Sequence, residues 1–180
     1  ASCLTQTRGT WYETKGSLPE SLFQMTLVVL SDGTILSAGG RHSGSIGTTT
    51  SLRMDLSTQL WTATSEPLNT GRFGHCAALL PDGTVLIAGG ATTEDTIASA
   101  TSELFSADTG KWTTADSMAT ARYGGFSMFL LNNGKVLAVG GQNTSSTTTN
   151  TAELYDYSTS CWDSTGSMST SRMWFGAAMT

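Results

Sequence analysis

Four landmarks recur in phase along this chain, and their period constrains the fold more than any other feature. Double glycines stand at Gly39-Gly40, Gly89-Gly90 and Gly140-Gly141. Tryptophans fall at Trp11, Trp61, Trp112 and Trp162. An Asx-Gly pair precedes each glycine pair, at Asp32-Gly33, Asp82-Gly83 and Asn133-Gly134, and Arg72, Arg122 and Arg172 keep the same beat. The steps are 50 or 51 residues. That is the length of one supersecondary unit whose apolar faces are buried against further copies of itself.

Within the unit the apolar stretches have the length of strands. In the second unit, Gly74 to Leu80 reads as a short strand leading into Pro81-Asp82-Gly83. Asx-Gly there predicts a type I′ hairpin turn, with positive φ at both central residues. Thr84 to Ala88 is the partner strand, rich in β-branched residues and apolar enough to be buried on both faces. Gly89-Gly90 ends it, where a side chain would clash with a neighbouring unit or the backbone would need an unusual φ. A polar loop over 91–100 leads to a third strand around Ser102 to Phe105, a turn at Asp108-Thr109-Gly110 and a fourth strand over Lys111 to Thr114. No segment has a helical apolar period. Four-stranded antiparallel units at this period predict an all-β chain of propeller blades. The spans are a partial blade over 1–20 (third and fourth strands), whole blades over 21–70, 71–120 and 121–170, and the first strand of a further blade over 171–180.

Several of these residues resemble the kelch repeat, over essentially the whole chain. They are the Gly-Gly pair after an apolar strand, the Glu-Leu-Phe or Glu-Leu-Tyr strand, and the Trp nine residues after that Glu. An Arg following a Met-rich turn, as in Ser117-Met118-Ala119-Thr120-Ala121-Arg122, completes the pattern. The resemblance implies a kelch-type β-propeller segment, of the sort found in galactose-oxidase-like proteins and in many non-catalytic recognition domains. It also implies that the loops between second and third strands share one face with the loops between blades, around a central channel where ligands bind. Residues at those levels that the repeat does not require are the binding candidates: Arg41, His42, His75, Tyr123, Gln142, Asn143 and Trp174. Gln24, Gly74, Gly124, Ala91 and Thr92 occupy the same levels.

The periodic residues read as structure. Trp11, Trp61, Trp112 and Trp162 are expected to cover blade-to-blade interfaces, given how much area one indole buries. Repeats two and three carry Arg72 with Glu103 and Arg122 with Glu153, whereas repeat one has Leu22 and Leu52 at those phases. Both members change together, which predicts that each Arg meets the Glu of its own blade and that Leu22 lies against Leu52. A buried pair that loses one partner leaves a charge costing about 3–5 kcal/mol. Cys3 and Cys161 read as opposite ends of equivalent third strands, too far apart for a bridge within the chain.

Chemistry of other kinds finds little support. Galactose-oxidase-like enzymes hold copper with tyrosines and histidines and cross-link a cysteine to one tyrosine. At the equivalent between-blade positions stand Gly74 and Gly124, with Cys76 two residues on, and the only histidines are His42 and His75. No hydrolase, redox, zinc-protease or phosphate-loop motif occurs, and Glu94-Asp95 reads as a solvated loop. No metal and no cofactor is expected.

The net charge of −5 and the lack of a basic stripe argue against nucleic acid. No run of about 18 apolar residues exists for membrane insertion. Abundant Ser and Thr, only three lysines and the acceptor triplet Asn143-Thr144-Ser145 point to an extracellular or cell-surface glycoprotein. The partial blades predict that further blades complete the ring, from a longer parent chain or from further copies. The leading reading is a non-catalytic recognition or scaffold domain that binds a protein or a glycan through loops at one face. A copper-radical or carbohydrate-active enzyme with site residues outside these 180, and a structural subunit of a larger assembly, stand as alternatives.

Overall fold

Apolar stretches of four or five residues, separated by turn residues, give meandering antiparallel sheets. A computed structural model describes residues 15–43, 46–92, 97–145 and 147–176. The first sheet holds β1 (Thr26–Val29), β2 (Ile35–Ala38), β3 (Ser51–Asp55) and β4 (Leu60–Ala63). The second holds β5 (Cys76–Leu79), β6 (Val85–Ala88), β7 (Ser102–Ser106) and β8 (Lys111–Ala115). The third holds β9 (Ser127–Leu130), β10 (Val136–Val139), β11 (Ala152–Asp156) and β12 (Cys161–Thr165). In each sheet the strands pair in chain order, all antiparallel. β1 abuts β5 and β5 abuts β9, so the first strand of each sheet lies at the hub. The described residues form no helix. This is the all-β blade architecture the repeat predicts.

Local details depart from expectation in four places. β5 starts at Cys76 and not at Gly74, because Gly74 takes φ +61° and turns the chain away from the ladder. The hairpins are not of type I′. Gly33 N–H donates to the Leu30 carbonyl and only the glycine has positive φ, so this is a three-residue loop closed by a left-handed Gly. The aspartate serves otherwise: Asp32 Oδ1 accepts from the Thr34 N–H (2.9 Å) and hydroxyl (2.7 Å), and Asp82 does the same with Thr84. Cys161 opens the fourth strand β12 and is exposed, rather than ending a third strand. No strand forms over 171–176, while 177–180, Trp11, Cys3 and Glu94-Asp95 lie outside the described residues.

The core lies between blades. Leu36 and Ala38 of β2 pack on Val85 and Ile87 of β6, Phe105 of β7 and Trp112 of β8. One interface on, Leu86 and Ala78 pack on Val136 and Tyr155, with Trp162 at the margin. Each indole lies tilted on the aromatic of its neighbouring strand, at 5.0 Å for Phe105–Trp112 and 5.2 Å for Tyr155–Trp162. Each also reaches the preceding blade: Trp112 Nε1–H donates to Ser51 Oγ (3.0 Å) and Trp162 Nε1–H to Ser102 Oγ (3.1 Å). On β1, Val28 faces the second blade, whereas Leu27 and Val29 point the other way and are exposed.

A second fastening is charged. The main chain of Arg72 belongs to the first blade's network, its N–H donating to Thr48 O and its carbonyl accepting from Gly40 N–H. The guanidinium enters its own blade and donates to Gly89 O (2.8 Å), Thr101 O (3.0 Å), Thr101 Oγ1 (3.1 Å) and Glu103 Oε1 (2.8 Å). Arg122 repeats this with Gly140 O, Thr151 and Glu153 Oε1 (3.0 Å). Both guanidinia and both carboxylates are buried. Burial weighs against each arginine's charge and the glutamate offsets part of that cost. The glutamates also hold the linker between blades, Glu103 accepting from the Asn69 and Thr70 N–H groups and Glu153 from those of Ala119 and Thr120. In the first blade a half-buried Leu22 and a buried Leu52 stand at the two phases.

Gly89 and Gly90 show why the glycine pair recurs. Both have positive φ, +69° and +89°. A Cβ on Gly89 would lie 2.6 Å from the Arg122 carbonyl of the next blade, and one on Gly90 would lie 2.8 Å from the Phe73 carbonyl. Conformation and contact both forbid a side chain.

The brace yields a test. Arg72→Leu alone should cost about 3–5 kcal/mol in urea unfolding, because Glu103 is left buried and unpaired. Adding Glu103→Leu should cost less than the sum of the two single changes. Strict additivity would show that the two side chains do not act as a pair.

Candidate functional site

A four-strand meander sends its second-to-third connection and its exit to the next blade towards the same end. At that end the ladders continue past the double glycines as isolated bridges. Phe23 pairs with Arg41 and Arg41 with Gly47, Phe73 with Ala91 and Ala91 with Ala98, Tyr123 with Gln142 and Gln142 with Thr148. Each blade therefore presents an aromatic from its first segment and a variable residue from its second, held together by paired backbone hydrogen bonds of 2.8–3.1 Å.

The residue after each aromatic is left-handed: Gln24 (φ +58°), Gly74 (+61°), Gly124 (+66°), and Trp174 (+51°) after Met173. Main-chain bonds join neighbouring blades at this level, with Gly74 N–H donating to Gln24 O (2.8 Å) and Trp174 N–H to Gly125 O (3.0 Å). For the non-glycines Gln24 and Trp174 this conformation costs roughly 1–2 kcal/mol each. Trp174 is held there with 61% of its surface exposed. Gly124 lies under it, since a Cβ there would come 3.5 Å from the indole and 3.3 Å from Gln142 Oε1.

The binding candidates divide accordingly. Arg41, Tyr123, Gln142 and Trp174 share this rim. Tyr123 is buried with its ring edge-on to Phe73, centroids 5.6 Å apart. The Arg41 guanidinium lies over the rings of Phe23 (4.9 Å) and Phe73 (4.1 Å). Asn143 follows Gln142 and caps its own loop, Oδ1 accepting from the N–H groups of Ser145 and Thr147. His42 turns outward to an exposed contact with Glu20 (3.1 Å).

His75 sits below the rim, buried in the interface between the first two blades, with Nε2 3.0 Å from Thr26 Oγ1. It fills the slot that Phe126 fills one blade on: a Cβ on Gly39 would meet His75 at 2.7 Å, and one on Gly89 would meet Phe126 at 2.9 Å. Burial, and then the charge of Arg72, push its pKa down to about 3. Phe23 and Phe73 were not among the candidates. Their signal was present, since they stand directly after Leu22 and Arg72 as Tyr123 does after Arg122.

A copper centre of the galactose-oxidase type does not fit these residues. Gly74 and Gly124 offer no ligand, and His42 and His75 have separate partners. Cys76 Sγ donates to the Phe126 carbonyl, and burial pushes the thiol up to about 12. No group of three or more His, Cys, Asp or Glu placed to hold a metal occurs among the described residues.

A family profile described as Kelch motif matches residues 131–169, from the β9–β10 hairpin to the linker after β12. The three four-stranded antiparallel sheets are consistent with kelch blades. The third blade carries the match, and the first two repeat its sheet order and glycine pair in phase. A kelch motif suggests a protein-binding propeller-type domain. No curated protein matches the chain. No helix among the described residues is long and apolar enough to cross a membrane.

The buried imidazole makes the array acid-sensitive. A folded pKa near 3 against an ordinary value of 6.5 means that the unfolded chain takes up the proton first. The contribution of neutral His75 is complete above pH 6.5 and is lost as the pH falls below it. Between pH 6.5 and about 5, above the carboxylate range, stability should fall by up to about 1.4 kcal/mol per pH unit. His75→Phe, which copies the kelch blade that follows, should flatten that slope in urea titrations. An unchanged slope would place the proton uptake elsewhere.

Proposed function

We propose that this chain is a non-catalytic recognition module that binds a partner protein through the rim carrying Arg41, Gln142 and Trp174, above the buried Phe73 and Tyr123. The observation that carries this reading is the repeated rim, where Arg41, Ala91 and Gln142 stand on one backbone frame, each bridged to the segment before it. The left-handed non-glycines Gln24 and Trp174 mark the same level, and local strain of this kind concentrates at functional positions. The frame beneath is fixed by the arginine brace and the glycine pairs. The rim positions, by contrast, differ from blade to blade: Arg41, Ala91 and Gln142 at one level, Gln24, Gly74, Gly124 and Trp174 at the next. Variable side chains on an invariant scaffold suit recognition better than packing.

Peptides enriched on the chain from a random display library provide the test. Trp174→Ser should weaken their binding by at least about tenfold. Thr109→Ala, in the β7–β8 turn at the other end of the blades, should change it by less than about twofold. Equal effects of the two changes, or no enrichment at all, would count against the rim.

An extracellular setting belongs to the same reading. Its support is the Ser- and Thr-rich composition and the triplet beginning at Asn143, whose Thr144 and Ser145 are exposed. The native protein should lose mass on treatment with a peptide-N-glycosidase, and an Asn143→Gln form should not. Identical masses before and after treatment would remove that support.

A further inference from the structure

We infer that Arg41 is the seat of a single carboxylate side chain on the partner, an inference that rests on reading the rim as the binding face. The guanidinium lies over two phenyl rings, at 4.9 Å and 4.1 Å from their centroids. Contact with ring faces leaves its in-plane edge as the direction for hydrogen bonds. Among the described residues nothing accepts from its guanidinium; its Nε is buried without a partner, as are those of Arg72 and Arg122. Three other arginines at blade interfaces are paired with carboxylates: Arg53 with Asp32, Arg72 with Glu103, Arg122 with Glu153. Arg41 alone among these four has no carboxylate.

Packing does not account for it. The same level of the second blade is occupied by Ala91, where Phe73 and Tyr123 close on each other edge to face. A guanidinium is therefore no part of the frame. What a stacked, edge-presenting guanidinium matches is a planar carboxylate lying in its plane, joined by two parallel charge-assisted hydrogen bonds.

Two further observations narrow the ligand. Gln24, next to Phe23 on the same rim, has a buried Oε1 without a donor. A peptide supplies both missing partners, a carboxylate for Arg41 and an N–H for Gln24, whereas a free anion supplies only one. The protein's net charge of −5 disfavours a run of acidic residues or a doubly charged phosphate. One guanidinium matches one carboxylate.

The probes are sodium acetate, a peptide enriched by display that carries one Glu, its Gln analogue and its phosphoserine analogue, all amide-capped. Acetate should move the Arg41 Nε–Hε resonance saturably. The Glu peptide should bind at least about tenfold tighter than the Gln analogue and tighter than the phosphoserine one. Arg41→Met, which keeps apolar bulk over the rings, should erase the Glu-over-Gln preference while the melting temperature stays close to that of the parent. An unmoved resonance with acetate overturns the inference, as does a stronger response to the phosphoserine peptide. Glu and Gln peptides that bind equally, yet are lost with Trp174→Ser, would leave the rim standing and remove the carboxylate seat. Binding indifferent to Trp174→Ser would remove the rim itself.

Discussion

Six hydrogen bonds converge on Arg72, and the joint between the first two blades depends on how they divide. Two come from its main chain and tie it to Thr48 and Gly40 of the blade before. Four come from its guanidinium and enter the blade it begins. One residue thus spans the joint, with its backbone on one side and its charge on the other. Burying that charge is tolerable only because Glu103 and the surrounding carbonyls meet it almost completely. The same carboxylate gathers the N–H groups of Asn69 and Thr70, so the linker is fixed by the group that balances the arginine. Arg122 and Glu153 repeat the arrangement at the second joint.

The glycine pair is the counterpart of that joint. The N–H of Gly90 must reach the Arg122 carbonyl, and the N–H of Gly40 the Arg72 carbonyl, each at 2.8 Å. An approach that close leaves no room for Cβ. Once backbone is locked to backbone there, the next residues outward are held by main-chain hydrogen bonds that do not depend on their side chains. That is why Arg41, Ala91 and Gln142 can differ on one framework, and why the variable chemistry collects on a rim. His75 shows the reverse situation. It lies just inside the locked level and was drawn into packing, and its imidazole brings an acid sensitivity that Phe126 does not.

Much of this was legible in the residues. The four-strand unit, the order of strands and the pairing of Arg with Glu all follow from landmarks in phase, because a repeat that buries itself against its own copies must keep its contacts in register. Other features were not legible. The Asp-Gly hairpins looked like type I′ turns, but Asp32 and Asp82 spend their carboxylates on Thr34 and Thr84 and let the glycine alone turn left-handed. His75 read as a binding candidate because nothing in one sequence says that Gly74 turns the chain and leaves His75 beneath the rim. Phe23 and Phe73 escaped notice although they stand in phase with Tyr123, since one sequence does not show that Phe73 is core and Phe23 is exposed beside Arg41.

The sequence by itself determined the blades: their number of strands, their period, the buried ion pairs and the places where only glycine fits. These are properties of spacing, and spacing survives translation into structure because each contact recurs one repeat later. Only the tertiary structure decided which residues meet across blades. It set Arg41 over Phe23 and Phe73, lifted Trp174 into solvent and sank His75 into an interface. Those outcomes depend on the angle at which one blade meets the next, a quantity that no local pattern of residues encodes.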